Sequence, residues 1–307
     1  MLKLSRRAVL KTLCATATLL NMSPNLLLAA SRDRIMKKIP KTSEMLAVMG
    51  LGTSRTFDVD VNDIQSTELY AVIQAFFDNG GQLIDSSPMY GNAETVIGEL
   101  LGATKNRDGL FAATKVWTYG RESGIEQMNA SMQKMGVSVM DLMQIHNLRD
   151  WQVHLKTLRE WKEQGKIRYI GMTTSHGRAH AELESVMKSE PLDFVQFSYN
   201  IDNRVAEQRL LPVAADNGIA VLINRPFQRG SLFRVAKGKS LPQWATEFDC
   251  TSWGQFFLKF AASHPAVTCV IPATSKLKHM LDNMAAGFGR LPDNEMRQRM
   301  IRHMESL

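Results

Sequence analysis

Residues 69–90, LYAVIQAFFDNGGQLIDSSPMY, contain one helix and one strand of the repeating unit that decides this fold. Apolar residues first recur with the i, i+3, i+4, i+7, i+8 spacing of one helix face, which predicts an amphipathic helix. The apolar residues of this face are Leu69, Val72, Ile73, Phe76 and Phe77. Two glycines interrupt the pattern, and a short apolar strand, Leu83-Ile84, then ends at Asp85.

The same alternation of strands and helices continues through most of the 307 residues. Strands are predicted at residues 50–53, 82–86, 110–116, 141–146, 167–173, 194–199, 220–224 and 268–271. Strands that alternate with helices pair in parallel, and eight such units close into a (β/α)8 TIM barrel of the α/β class. An open doubly wound sheet is the alternative, but no Gly-x-Gly-x-x-Gly turn follows an early strand.

Two segments lie outside this alternation. Residues 41–50 are expected to form a small cover at the bottom of the barrel, before its first helix. Residues 229–252 show no clear periodicity and are rich in Gly, Lys and Pro, which predicts a long irregular loop. Because long loops in compact domains tend to be functional, this loop is a candidate clamp over a ligand.

The net charge of +7 is concentrated at the start of the chain. Residues 1–41 carry nine Lys and Arg against one acid, Asp33, so the remaining residues carry a net charge of −1. A nearly neutral body argues against a nucleic-acid partner. Cys250 and Cys269 lack the spacing of a metal motif and are expected to be buried free thiols, and no metal site is predicted.

Residues 1–30 have the features of an export signal. Arg6 and Arg7 precede an apolar stretch, and the small residues Ala29-Ala30 follow it, which resembles a twin-arginine signal. Residues 31–307 would then form the mature domain, with the twin-arginine export machinery as a partner and a periplasmic location. Polar residues and Pro24 interrupt the apolar stretch, so no stable membrane span is expected. The alternative is a basic N-terminus on a cytoplasmic enzyme.

Four polar residues with acid–base chemistry occur at or just after predicted strands: Asp85, Tyr90, Lys115 and His146. In a parallel barrel the carboxyl ends of the strands meet at one face, so these residues can form a proton-transfer site. Each has a structural alternative, since an Asp after a strand often caps a helix and a lone His is often a buried core residue. The order and context of all four favour a site.

This set resembles the catalytic tetrad of the aldo-keto reductases, and the resemblance covers about residues 44 to 290. It implies an oxidoreductase that reduces an aldehyde or ketone with hydride from a nicotinamide cofactor, with Tyr90 as the general acid. Lys115 would lower the pKa of the phenol, and Asp85 would hold Lys115 in place. His146 would act as a neutral hydrogen-bond donor that orients the carbonyl oxygen.

Other stretches resemble the cofactor contacts of that family. The first-strand motif is Gly50-Leu51-Gly52-Thr53, and Gln196 takes the position of the glutamine that binds the nicotinamide carboxamide. The last strand and helix would hold the adenosine phosphates at Pro272, Thr274, Ser275 and Asn283. Amides at a helix start bind phosphate well.

The chain departs from the family pattern at three cofactor positions. Thr173-Thr174 replaces the usual Ser-Asn pair, so that Thr173 keeps a hydroxyl for the carboxamide but Thr174 lacks the amide of the asparagine. Asn224 stands near the position of the aromatic residue that stacks on nicotinamide, and the flat guanidinium of Arg225 is a candidate substitute. His279 replaces the common Arg near the 2′-phosphate, and two neighbouring lysines, Lys276 and Lys278, still favour NADP.

Two other functions remain open at this point. The replaced residues Thr174 and Asn224 are compatible with a cofactor-binding sensor or partner subunit that keeps the barrel but turns over little. A different barrel enzyme without nicotinamide, such as a phosphate-binding isomerase or lyase, is the third possibility. The intact set of four catalytic candidates favours a reductase over the sensor, and Gln196 with Gly52 and Thr53 favours it over the isomerase. The carbonyl substrate itself is not identified by the sequence.

Overall fold

The computed structural model describes residues 33–307, and the predicted export signal lies outside them. A short antiparallel hairpin, β1 (Met36–Lys38) and β2 (Met45–Ala47), comes first. Eight strands follow and pair in parallel in chain order. They are β3 (Leu51–Gly52), β4 (Leu83–Asp85), β5 (Phe111–Val116), β6 (Met140–Ile145), β7 (Ile167–Thr173), β8 (Phe194–Ser198), β9 (Ala220–Asn224) and β10 (Cys269–Val270).

The helices that connect and cover these strands are α1 (Leu69–Asp78), α2 (Ala93–Ala103), α3 (Arg121–Met135), α4 (Trp151–Glu163), α5 (His180–Ser189), α6 (Leu210–Asp216), α7 (Ser231–Val235), α8 (Trp253–Ser263), α9 (Leu277–Ala285) and α10 (Asn294–Glu305). All eight predicted strands are present, and each end differs from its predicted position by at most one residue.

The first and last barrel strands are joined by backbone hydrogen bonds. Gly50 N donates to Val270 O at 2.9 Å, and Gly52 N donates to Pro272 O at 3.0 Å. A side chain at Gly52 would place its Cβ 2.8 Å from the Ile271 carbonyl oxygen, so this close approach requires glycine. The predicted (β/α)8 barrel is therefore confirmed, and the open sheet is excluded.

The apolar face of α1 packs onto the barrel as its spacing predicts. Leu69, Val72, Ile73 and Phe76 are fully buried. The helix ends before Gly80, whose φ of +74° favours glycine. The backbone of the next residue, Gly81, lies directly against the Phe76 ring. This turn leads the chain into β4, so the local sequence of residues 69–85 determines where Asp85 is placed.

The hairpin covers the bottom of the barrel, as expected for residues 41–50. Ile39 and Leu46 are buried in one apolar cluster with Leu83, Phe111 and Phe194. These last three are the first residues of their strands. Apolar packing thus closes the amino-terminal end of the barrel and leaves the carboxyl-terminal end for polar residues.

The prediction of an irregular loop at residues 229–252 was wrong. This segment contains α7 and a 3-10 helix, Gln243–Phe248, which bury Leu232, Ala245 and Phe248. The helical turns are too short to give a visible period, which is why the sequence pattern missed them. In the part of the chain that the structure describes, no helix has both the length and the apolar character needed to cross a bilayer. Cys250 and Cys269 are buried free thiols, as expected.

Candidate active site

The barrel brings the four acid–base candidates together at the carboxyl ends of three adjacent strands. Asp85 is the last residue of β4, Lys115 lies near the end of β5, and His146 directly follows β6. Tyr90 lies in the loop after β4 and contacts Lys115 and His146. Its ring centroid is 5.1 Å from Lys115 Nζ and 5.8 Å from the centroid of the His146 ring.

Asp85 and Lys115 form a buried ion pair. Lys115 Nζ donates to Asp85 Oδ2 at 2.6 Å and to the Ser86 carbonyl oxygen at 2.6 Å. Burial disfavours the ammonium, but the Asp85 carboxylate and Tyr90 outweigh that effect, so the pKa of Lys115 is raised. Lys115 therefore carries its positive charge at neutral pH, although it is fully buried.

Two glutamines hold the other oxygen of Asp85. Asp85 Oδ1 accepts hydrogen bonds from Gln144 Nε2 at 2.8 Å and from Gln196 Nε2 at 3.0 Å. Gln196 Nε2 also donates to Gln144 Oε1 at 3.0 Å, so both of its amide protons are used within this network. Gln196 lines the cavity, as the resemblance implies, but in this structure its amide nitrogen orients the Asp85 carboxylate.

The net pKa shift of Tyr90 is opposite to the one expected from the sequence. Lys115 lowers the pKa of the phenol, but burial raises it by more and Asp85 adds to the increase, so the pKa of Tyr90 is raised. The phenol therefore keeps its proton at neutral pH and can serve as a proton donor. How deeply the ring is buried could not be read from the sequence.

His146 is held as a neutral imidazole. Burial, Lys115 and Arg149 lower its pKa to about 3. Its Nδ1 lies 3.0 Å from Ser87 Oγ. When Ser87 donates to Nδ1, the proton of the neutral ring resides on Nε2, which is then available as a donor to a ligand.

A cavity of about 660 Å³ opens above these groups. Asp85, Tyr90 and His146 line it, whereas Lys115 is buried and not part of its lining. Of the residues that the resemblance assigned to the cofactor, most also line this cavity. They are Gly52, Thr53, Thr173, Gln196, Arg225, Thr274, His279 and Asn283. Pro272 and Ser275 are not part of the lining, and Pro272 instead supplies the carbonyl that accepts from Gly52.

Two of the residues that depart from the family pattern, Asn224 and Thr174, are hydrogen-bonded to each other. Asn224 Nδ2 donates to the Thr174 carbonyl oxygen at 3.1 Å and to Gln196 Oε1 at 3.2 Å, and its Oδ1 accepts from Ser198 Oγ at 2.7 Å. Thr173 Oγ1 accepts from Asn147 N at 3.1 Å. Asn224 thus links the ends of β7, β8 and β9 instead of offering a ring to the cavity.

A carboxylate lies at the start of α9, the helix that the resemblance assigned to the phosphates. Glu68 Oε2 accepts from the Leu277 backbone N at 2.8 Å, at the start of α9, and Glu68 Oε1 lies 3.0 Å from Lys276 Nζ. The hydrogen bond from Leu277, followed by that from Lys276, lowers the pKa of Glu68. A negative charge at a helix start is favourable, so Glu68 occupies the kind of position that a phosphate would take.

The model of the aldo/keto reductase family matches residues 48–300. This chain belongs to the aldo/keto reductase family. It is accordingly an oxidoreductase that reduces carbonyl compounds with a nicotinamide cofactor. The alternative of a sensor with little turnover is not favoured, because the acid–base groups are brought together beside an open cavity.

Curated proteins and solved structures of this family are similar to the chain in sequence and in fold. The chain is 30% identical over 238 residues to the NADH-specific methylglyoxal reductase of Escherichia coli, which covers 64% of this chain and 69% of that protein. An aldo-keto reductase of Klebsiella pneumoniae in complex with NADPH is 21% identical, with a TM-score of 0.73, covering 88% of this chain and 95% of that one. The holo form of an aldo-keto reductase from Bacillus halodurans gives 17% identity and a TM-score of 0.72, covering 89% of this chain and 96% of that one.

Sequence reasoning missed Ser87 and Gln144, which bind His146 and Asp85, and Glu68, which binds the start of α9. Gln144 lies near the end of β6, two residues before His146, and residues two apart along an extended chain face the same side. That spacing was the available signal. Ser87 and Glu68 had none, because their partners lie 59 and 209 residues away in the chain.

Proposed function

We propose that this protein reduces an aldehyde or ketone with hydride from a reduced nicotinamide cofactor and that Tyr90 is the general acid. The observation that supports this role most directly is the position of Tyr90. Its ring lines the cavity, contacts the buried Lys115–Asp85 pair and lies edge-to-face with His146. The cofactor, when bound, supplies the hydride, and the side chains supply the proton and the orientation of the carbonyl group.

The proposed roles follow from the charge state of each group. Tyr90 is protonated, because the pKa of its phenol is raised, and it donates its proton to the carbonyl oxygen. The ammonium of Lys115 then stabilises the phenolate that remains, and Asp85 keeps Lys115 in position. Neutral His146 donates from Nε2 to the same carbonyl oxygen and stabilises its developing charge.

Replacement of the phenol tests this proposal. Tyr90→Phe removes one hydroxyl from the cavity and should lower kcat by about 10²–10⁴-fold, which is the usual effect of losing a positioned acid. Cofactor affinity and the melting temperature should stay close to wild type. Tyr119→Phe is a matched control, because Tyr119 is 66% exposed and outside the cavity lining. Turnover of the Tyr90 variant close to that of wild type would contradict the role of Tyr90.

We propose NADP as the preferred cofactor, with NAD as the alternative. Lys278 adds positive charge next to His279, which lines the cavity together with Thr274 and Asn283, and this charge favours a 2′-phosphate. The Klebsiella structures that share this fold hold NADP and NADPH. Glu68 and the NADH-specific relative from Escherichia coli support NAD. The ratio of the dissociation constants for NADPH and NADH, measured by the fluorescence of the reduced nicotinamide, decides between them.

We also propose that residues 1–30 direct twin-arginine export, so that the folded protein reaches the periplasm with its cofactor bound. The support is the Arg6-Arg7 pair before an apolar stretch and the small residues Ala29-Ala30 after it. Replacing both arginines by lysine should retain the protein in the cytoplasm. Normal export of that double variant, or periplasmic protein without nicotinamide, would favour the cytoplasmic alternative.

A further inference from the structure

A guanidinium lies beside His146, between the loops that follow β5 and β6. Arg149 follows β6, and its Cζ is 4.6 Å from the centroid of the Trp117 ring and 4.7 Å from that of the Tyr119 ring. The Trp117 ring is also 6.3 Å from the His146 ring, centroid to centroid. Arg149 contributes, after burial and Lys115, to the low pKa of His146, so its charge is close to the imidazole. Reduction as proposed above gives Arg149 no role.

The charge of Arg149 has no acidic partner in the part of the chain that the structure describes. Neither an ion pair nor a side-chain hydrogen bond of Arg149 occurs within residues 33–307. The neighbouring acid, Asp150, instead accepts a hydrogen bond from Gly120 N at 2.8 Å. Aromatic rings attract a guanidinium through their faces but leave its directional N–H donors unused. Since Arg149 is only half-buried, these donors are accessible to a ligand.

The segment that carries the two aromatic rings is tied to the neighbouring helices. Trp117 N donates to Gln127 Oε1 at 2.6 Å, and Gln127 belongs to α3. His154 of α4 is fully buried, and its Nε2 lies 2.9 Å from the Thr118 carbonyl oxygen. The contact with Tyr119 uses the ring and not the hydroxyl, so Tyr119→Phe retains it. The rings therefore hold the guanidinium in one place.

The backbone around Arg149 gives a second, independent observation. Three of the four residues 147–150 have a positive φ: Asn147 (54°), Leu148 (53°) and Asp150 (50°). Non-glycine residues seldom adopt this conformation, and those that do so concentrate at functional sites. The segment directly after His146 is thus held in an unfavourable backbone conformation that places Arg149 beside the imidazole.

We propose that Arg149 binds a carboxylate group of the substrate, so that the enzyme prefers oxo acids to uncharged carbonyl compounds. The carbonyl oxygen contacts Tyr90 and His146, and the carboxylate at the other end of the same molecule accepts hydrogen bonds from the guanidinium. The two oxygens of a carboxylate match the planar N–H donors of arginine. A phosphate, with a charge close to −2, would be only partly neutralised by one guanidinium. The proposal names the substrate class of the same site and therefore rests on the proposed function.

Pairs of aldehydes that differ only in charge test this preference. Each acid is compared with its own methyl ester, and the acids are 4-oxobutanoate, 5-oxopentanoate, 6-oxohexanoate and 4-carboxybenzaldehyde. The series covers several distances between the carbonyl and the carboxylate. With full-length protein and saturating reduced cofactor, kcat/KM should be about tenfold or more higher for the acid in at least one pair, since a hydrogen bond between charged partners contributes strongly.

Substitutions of Arg149 separate recognition of the carboxylate from a structural role. Arg149→Gln should abolish the preference by raising KM for the acids, while kcat/KM for the esters and the melting temperature stay close to wild type. Arg149→Lys keeps the charge but not the planar donors, so it should keep a smaller preference. Arg302→Gln removes one charge from an exposed residue outside the cavity lining and should behave as wild type does.

Three outcomes would overturn the proposal. The first is a wild-type protein that prefers the acid in none of the pairs. The second is a preference that survives in Arg149→Gln. The third is an equal loss of activity on acids and esters in both variants of Arg149, because Arg149 would then only maintain the loop.

Binding without turnover separates this proposal from the proposed function. With oxidised cofactor no carbonyl is reduced, so isothermal titration calorimetry can measure the dissociation constants of the oxo acids and their esters. Arg149→Gln should raise the constant of the preferred acid about tenfold or more and leave that of its ester unchanged. A protein that binds the acid through Arg149 but reduces neither acids nor esters would disprove the proposed function and leave the carboxylate site intact. A protein that binds and reduces acids and esters equally well would disprove the carboxylate site alone.

Discussion

The cationic side chains at the base of the cavity are paired with a carboxylate, whereas those in its outer part are not. At the base, Lys115 is paired with Asp85, and both carboxylate oxygens of Asp85 accept hydrogen bonds. In the outer part, four arginines line the cavity and have no carboxylate partner among the described residues: Arg55, Arg178, Arg225 and Arg229. The base is complete in the protein alone, whereas the outer part lacks an anion.

This difference separates two tasks of an enzyme cavity. Groups that act on the reacting atoms must already be oriented, because reorganisation during the reaction would raise the barrier. Groups that bind a ligand can stay unsatisfied until it arrives, and the ligand then stabilises the folded protein. Changes to the buried groups that hold Asp85, such as Lys115 and Gln144, should therefore reduce stability and turnover together, and changes in the outer part should mainly alter ligand affinity.

Removal of the buried ammonium should have the largest effect. Lys115→Met leaves the Asp85 carboxylate buried without its cation, which should lower the free energy of unfolding by about 3–5 kcal/mol. Turnover should fall sharply, and the pH profile of residual activity should move upward, because nothing then lowers the pKa of Tyr90. Denaturant unfolding and pH–rate profiles measure the two effects.

Lys259 offers a matched control for this variant. It is also fully buried, and its Nζ donates to the carbonyl oxygens of Phe288 at 2.7 Å and Arg290 at 2.8 Å. Lys259→Met should reduce stability without changing the pH profile of the remaining activity. An unchanged profile in Lys115→Met would mean that Lys115 has only a structural role.

His146 should make stability depend on pH in the acid range. Its pKa is about 3 in the folded protein and about 6.5 when unfolded, so between these values only the unfolded chain binds the proton. Stability should therefore fall as the pH decreases from 6 to 4, by about 1.4 kcal/mol per pH unit from this group. In His146→Asn, unfolding should take up about one proton fewer, so the slope of stability against pH should be smaller by about 1.4 kcal/mol per pH unit. Equal slopes in the variant and the wild type would contradict a buried neutral imidazole.

The glutamine that orients Asp85 should have a smaller effect. Gln144→Leu removes one of the two side-chain donors to Asp85 Oδ1 and should reduce stability by about 1–3 kcal/mol. Because Asp85 then holds Lys115 less firmly, kcat should decrease with little change in KM. Gln65→Leu, at an exposed position, is the control. A Gln144→Leu protein with wild-type stability and kcat would show that Gln196 alone orients the carboxylate.

The eight strands and their order were predictable from local patterns, because burial on both faces leaves apolar runs between helical stripes. The positions of Asp85, Lys115 and His146 followed from the same patterns, since strand ends share one edge of the barrel. The network around Asp85 was not predictable, because a buried glutamine in an apolar strand has no distinct pattern. The pKa of Tyr90 depends on burial depth, which no local pattern records.

The four arginines of the outer cavity were hidden from the sequence for a different reason. They are spread from residue 55 to residue 229 among many compensating acids, and residues 42–307 sum to a net charge of −1. A net charge averages over the whole chain and says nothing about which loops the barrel brings together. Only the arrangement of β3, β7 and β9 around one ring places these loops at the same cavity.

Glu68 is expected to give the smallest effect, and it tests a cation outside the cavity lining, Lys276, that does have a carboxylate partner. Its carboxylate accepts from Leu277 N and lies beside Lys276, where a 2′-phosphate is expected. Glu68→Gln removes the negative charge and should shift the ratio of dissociation constants toward NADPH by about 2–5-fold, as for a surface charge at a helix start. Asp63→Asn, an exposed acid on the preceding 3-10 helix, is the control. If the ratio stays constant, or shifts toward NADH, then the 2′-phosphate does not approach α9, and Lys276 contributes to the fold rather than to cofactor choice.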